Sequence, residues 1–193
     1  FLVSGGSVVG SDAMGTLPVD VSSASSWAVG NILSAESLGL LTDRTSSNFS
    51  ASITRLQFAE LAVNLIEKAT GTTLPTGDQS FQDTSDPAAL KAAQAGVASG
   101  TGNGNFSPNA NITRQEISVM LNQVIRCVDE ANGTTTLGSQ FTDADQVDSW
   151  AVESMAKLNN NGLMSGSGNT LSPKNNTSVQ EAITLILALY NKF

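Results

Sequence analysis

Apolar residues recur at helical spacing in three separated stretches of the chain. Phe58, Leu61, Ala62, Leu65 and Ile66 fall three and four residues apart, and Ile117, Met120, Leu121, Val124 and Val128 do the same. That period predicts amphipathic helices with one face turned inward. Ile183, Leu185, Ile186, Leu187 and Leu189 leave almost no polar face, so the third helix is expected to be the most buried. Each stretch opens on a capping box: Thr54 with Gln57, Thr113 with Glu116, Ser178 with Glu181. The short hydroxyl accepts from the backbone three residues on, and the longer side chain reaches back. A shorter helix is expected ahead of each long one. In the last case it starts after Asp143, carries Trp150, Val152, Met155, Ala156 and Leu158, and ends at Gly162, a residue suited to the left-handed C-cap. The loops between are rich in Gly, Ser and Asn, the residues that supply turns.

The pattern is a repeat. Asp20, Trp27, Gly39 and Thr54 are separated by 7, 12 and 15 residues, and Asp143, Trp150, Gly162 and Thr177 by the same gaps. A middle copy has Asp83, Gly96 and Thr113, lacks the Trp, and is six residues shorter between Asp and Gly. Each copy reads as helix, loop, helix. Such a unit cannot bury its apolar face alone, and about three are needed for a stable array. The boundaries expected are a lead-in arm at 1–17 and repeats at 18–70, 81–131 and 141–193. Polar, Gly-containing linkers lie between the repeats.

Composition narrows the function. The chain has 193 residues, a net charge of −8 and no His. With nine Lys and Arg in total, it has no basic stripe for a phosphate backbone, so no nucleic-acid partner is expected. The absence of His removes the commonest general base and metal ligand. A single cysteine, Cys127, excludes an internal disulfide and is expected as a buried, inert thiol. No apolar run approaches the roughly 18 residues of a membrane span. With Phe1 at its head and no basic stretch before an apolar one, the chain is expected to be a processed product or a fragment of a longer protein. Low charge with abundant Ser, Thr, Asn and Gly suits an extracellular setting.

In this acidic chain two arginines occupy the same point of a repeated helix start: "ITRLQ" at Ile53 to Gln57 and "ITRQE" at Ile112 to Glu116. Together with Asp at each repeat start, Trp-Ala, a helix ending in Gly and a loop closing on Phe-Ser-Pro, they resemble the S-layer homology (SLH) repeat from Pro18 to Phe193. The resemblance implies an all-α fold of three helix-loop-helix repeats in a pseudo-threefold assembly around a central three-helix bundle. It implies non-covalent anchoring of a bacterial surface protein to the wall, through an anionic and often pyruvylated secondary polysaccharide bound in grooves between repeats. The positions it points to for ligand binding are Arg55, Arg114, Trp27, Trp150, Asp20, Asp83 and Asp143, with no catalytic residue, metal or cofactor. The chemistry of these residue types agrees. A guanidinium forks onto a carboxylate, free N–H groups at a helix start favour an anion, and an indole offers a face for a sugar ring.

Other readings accompany each residue. The arginines can serve ion pairs between repeats. The tryptophans can be packing residues, and the three Asp are expected first as N-caps of the short helices. "DADQVD" at Asp143 to Asp148 lacks the glycine and terminal glutamate of a calcium loop. "SGTGNGN" lacks the lysine of a phosphate loop. The third copy reads "TSVQE", with Ser178 or Val179 where Arg stands in the others, so one groove of three is expected to be weak. The rival functions are a protein-interaction or lattice module on the same scaffold, with self-association in a surface layer, and a glycosidase, for which no paired-carboxylate motif is present.

Overall fold

The computed structural model describes residues 19–128 and 141–193. The expected lead-in arm and the linker at 131–140 lie outside the described residues. Among the described residues there are six α-helices and no strand: α1 Val29–Ser37, α2 Arg55–Thr70, α3 Pro87–Gln94, α4 Arg114–Val128, α5 Val152–Asn160 and α6 Val179–Tyr190. The described residues are all-α, as the periodicities predict.

All three capping boxes form. The Thr54 side chain accepts from the Gln57 N–H while Gln57 accepts from the Thr54 N–H at 2.9 Å. Glu116 and Glu181 accept from the Thr113 and Ser178 backbones, each at 2.7 Å. Helix α6 is the most enclosed of the long helices: Val179, Ala182, Ile183, Leu185, Ile186, Leu187 and Leu189 are all buried. The glycines after the short helices, Gly39, Gly96 and Gly162, sit at φ of 62°, 71° and 68°, a conformation that opposes any side chain.

The starts of the short helices differ from expectation. Trp27 and Trp150 precede α1 and α5 instead of lying on them, and the N-cap positions are held by Ala28 and Ala151, with no side-chain cap. For α3 the cap is Asp86, which accepts from the Ala88 N–H ahead of Pro87. Asp20, Asp83 and Asp143 therefore cap no α-helix. A short 3-10 turn, Val21–Ser23 or Ala144–Gln146, separates Asp20 and Asp143 from the helices that follow.

Packing interlocks the helix pairs. Each short helix leans on a long helix from a different pair: α3 on α2, α5 on α4, and α1 on α6; α2 also packs against both α4 and α6. The residues just before the three caps form a closed ring of backbone hydrogen bonds. Ile53 N–H donates to Thr177 O at 2.8 Å, Thr177 N–H to Ile112 O at 3.1 Å, and Ile112 N–H to Ile53 O at 3.3 Å. Thr177 thus sits where the other two segments have isoleucine, and Ser178 is the cap. The spacing anchor that paired Thr177 with Thr54 is displaced by one residue, because the loop before α6 is one residue longer. The ring also fixes the arginine position: Val179 is the first residue of α6 and replaces Arg.

Candidate functional site

The first two N–H groups of every long helix donate to loop carbonyls of another helix pair. Arg55 and Leu56 reach Ala110 and Pro108 at 2.9 and 3.1 Å; Arg114 and Gln115 reach Asn175 and Pro173 at 2.9 and 3.0 Å; Val179 and Gln180 reach Ala51 and Phe49, both at 2.9 Å. The third N–H donates to the cap hydroxyl. No free backbone donors are left for an anion at these helix starts, contrary to expectation; the arginine side chains and the helix dipole remain. The same bonds draw each loop against a helix start at three junctions, or crevices, between helix pairs, and an open cavity lies at the one beside Arg114.

The crevices differ. In the first, Arg55 is buried, with its guanidinium carbon 5.1 Å from the centre of the Phe106 ring. Its Nη2 donates to the Ser99 carbonyl at 2.5 Å, and its Nε is buried without an acceptor. The Phe106 ring fills the space in front of the guanidinium. In the second, Arg114 is half-buried and its Nη2 donates to the Ser165 carbonyl. Leu171 stands where Phe106 stands in the first, and a cavity of ≈ 260 Å³ opens beside Arg114, lined also by Ser167, Thr170, Asn175 and Glu181. In the third, Val179 is buried in place of arginine.

Each arginine faces a carboxylate. Burial lowers the affinity of both guanidinium groups for their proton, and the charges of Glu116 near Arg55 and Glu181 near Arg114 oppose that shift. Among the described residues neither arginine closes an ion pair. In the third crevice both charges are gone: Val179 replaces the cation and Gln57 holds the glutamate position. Glu116 and Glu181 were missed as crevice residues because the capping box accounts for them fully at the level of sequence.

Asp83 and Asp143 pin the loops that form the crevices. Asp83 accepts from the Phe106 and Ser107 N–H groups, both at 2.8 Å, and Asp143 from Leu171 and Ser172 at 2.8 and 2.7 Å. The Phe106 N–H chiefly holds the Asp83 carboxyl below its usual range, against desolvation; at Asp143 burial pushes upward and the two loop N–H groups outweigh it. The loops they hold turn at Ser107 and Ser172, at φ of 61° and 53°. Asp20 instead accepts from its own Ser22 N–H at 2.9 Å. The loop facing it is built on a 3-10 turn, Asp43–Thr45, and the Phe49 N–H finds Ser23 Oγ. No cluster of three or more metal-ligating side chains occurs among the described residues.

Trp27 and Trp150 are 55% and 54% exposed, which removes the packing role left open at the sequence level. Each occupies the third position of a tight turn, closed by Ala28 N–H to Ser25 O at 2.9 Å and by Ala151 N–H to Asp148 O at 2.8 Å. Cys127 is half-buried at the end of α4, where its Sγ donates to the Ala95 carbonyl at 3.4 Å and burial raises its thiol pKa. No helix among the described residues is long and apolar enough to cross a membrane.

Comparison with known proteins gives two findings. The family profile for the S-layer homology domain matches residues 83–117 and 140–183. An endoglucanase of Bacillus sp. (strain KSM-635) is 25% identical over 170 residues, covering 85% of this chain. The chain spans 18% of that relative's length.

Proposed function

On the premise that two segments of this chain belong to the S-layer homology family, a non-catalytic module that anchors proteins to the cell wall at the cell surface, we propose that it holds an anionic wall polysaccharide in its crevices, chiefly in the one at Arg114. The observation that carries this reading is the open cavity beside a half-buried arginine that closes no ion pair among the described residues. A pyruvyl ketal presents a carboxylate on a sugar ring, and a guanidinium binds that group through two parallel hydrogen bonds. Charge-assisted bonds contribute on the order of 1.5–3 kcal/mol each. Serine, threonine and asparagine around the cavity match saccharide hydroxyls, and Glu181 accepts from a donor on the same ring. Arg55, sealed over Phe106, is a secondary site. Asp83 and Asp143 act by shaping the loops, and Asp20 lies outside the crevices.

The same reading takes residues 18–70, 81–131 and 141–193 as three repeats about a pseudo-threefold axis. Support comes from the cyclic bonding of Ile53, Ile112 and Thr177 and from the interlocked helix pairs. With several crevices on one module and many units on one polymer, modest individual affinities add by avidity.

The test is retention on purified bacterial wall polymer. Arg114→Ala is expected to weaken binding by about tenfold to a hundredfold, the equivalent of one charged bond, with a further loss when Arg55→Ala is added. Full retention of the double variant removes the mechanism. A second reading, association between copies of the chain, is favoured by the exposed Leu33 and Leu38 on and after α1. Sedimentation that shows a monomer at all working concentrations excludes it.

A further inference from the structure

The turns that carry the two tryptophans make the same kind of contact. Gln115, buried at the second position of α4, grips Asp148 at two points: its Nε2 donates to Asp148 Oδ2 at 2.7 Å, and its Oε1 accepts from the Asp148 N–H at 3.1 Å. Gln180, buried at the second position of α6, grips Ser25 in the same way. Its Oε1 accepts from the Ser25 N–H at 2.8 Å, and its Nε2 meets Ser25 Oγ at 3.0 Å. Asp148 and Ser25 are the first residues of the turns that carry Trp150 and Trp27. The fourth residues, Ala151 and Ala28, are fully buried. Each turn is thus held at both ends, by an amide clasp and by a core methyl, and the indole projects from between them. At the second position of α2 there is no glutamine but Leu56, and the short helix that packs on α2 begins at Asp86-Pro87 with no such turn and no tryptophan. Glutamine and tryptophan occur together at the second and third crevices and are both missing from the first, at Arg55.

We propose that Gln115 and Gln180 are positioning residues, which hold Trp150 and Trp27 outward as ready-made sugar platforms beside the crevices. An amide can satisfy a backbone N–H and a side-chain group at once, which fixes the turn's position relative to the long helix. Leucine packs in that place without fixing it. Pre-ordering the indole removes an entropy cost at the moment of binding. Gln115 follows Arg114 in α4, so the platform and the cation are set by adjacent residues of one helix. The link to saccharide rests on the function proposed above; the positioning of the indoles does not.

The chain has two tryptophans, so a Trp27→Phe background leaves Trp150 as the sole emitter. In that background Gln115→Leu is expected to lower the steady-state anisotropy of Trp150 and raise its acrylamide quenching at least about twofold, with α-helical circular dichroism unchanged. Asp148→Ser recreates the pair found at Ser25 and is expected to keep both values near those of the parent. Unchanged anisotropy and quenching in Gln115→Leu overturn the proposal. Should Gln115→Leu fail to fold, Gln180→Leu in a Trp150→Phe background makes the same measurement on Trp27, and unchanged values there overturn it equally. Binding of wall polymer by Trp150→Ala is measured separately. Its full retention counts against the saccharide reading and leaves the anisotropy result standing.

Discussion

Single residues decide what the three crevices can do. Arg55 and Arg114 were legible as a pair because they recur at one point of a repeated motif in a chain poor in cations. Their inequality was not legible, because it comes from residues far along the chain: Phe106 against one and Leu171 against the other. Asp20 does cap, at the 3-10 turn Val21–Ser23. Asp83 and Asp143 were misread as helix caps because an Asp just before a predicted helix has a sufficient explanation as a cap, and only the fold shows the Phe106 and Leu171 loops arriving over their carboxylates. Those carboxylates bind loop N–H groups when ionised, so the native state holds them below the unfolded value. The unfolded chain then binds more protons as pH falls, and the stability they contribute is complete above about pH 4 and lost as pH drops through the lowered native values. Asp143→Asn is expected to lower Tm at pH 7 by several degrees and to flatten the acid limb of a Tm–pH profile. Thr177 offers the opposite case: its Oγ1 is buried without a partner. Thr177→Val removes that hydroxyl at nearly constant shape and is expected to add about 1 kcal/mol, or about 2–4 °C in calorimetric Tm for a chain of this size.

At the scale of elements the sequence was most informative. The three long helices follow from apolar period and capping boxes, because these are local properties that tertiary structure here reinforces. Thr113→Ala is expected to cost about 0.5–2 kcal/mol, as loss of an N-cap does, read as a lower midpoint in urea with an unchanged slope. The short helices were placed correctly but started too early, with Trp150 assigned to the helix. Its apolar character fits a helical face, and nothing local announces that Gln115, 33 residues before Asp148 at the head of the turn, holds that turn outside α5. The single signal available was the recurrence of glutamine at the second position of two long helices.

For the whole molecule, the helix pairs interlock and lean on one another. Helix α1 packs on α6, so the first pair is closed by the last, and the ring at Ile53, Ile112 and Thr177 ties the three helix starts together. Spacing alone could not reveal that the short helices pack on long helices of other pairs, since a repeat motif carries no information about which neighbour it meets. The molecule carries a net charge of −8, so the proposed recognition of an anionic polymer has no long-range attraction behind it and would rest on the local cation. The most direct measurement is titration of the protein with native wall polymer and with the same polymer stripped of pyruvate. Tight binding to the native polymer is expected to fall by about tenfold or more on the stripped one, with Arg114→Ala insensitive to the difference. Equal affinity of the unaltered protein for both polymers would contradict the account.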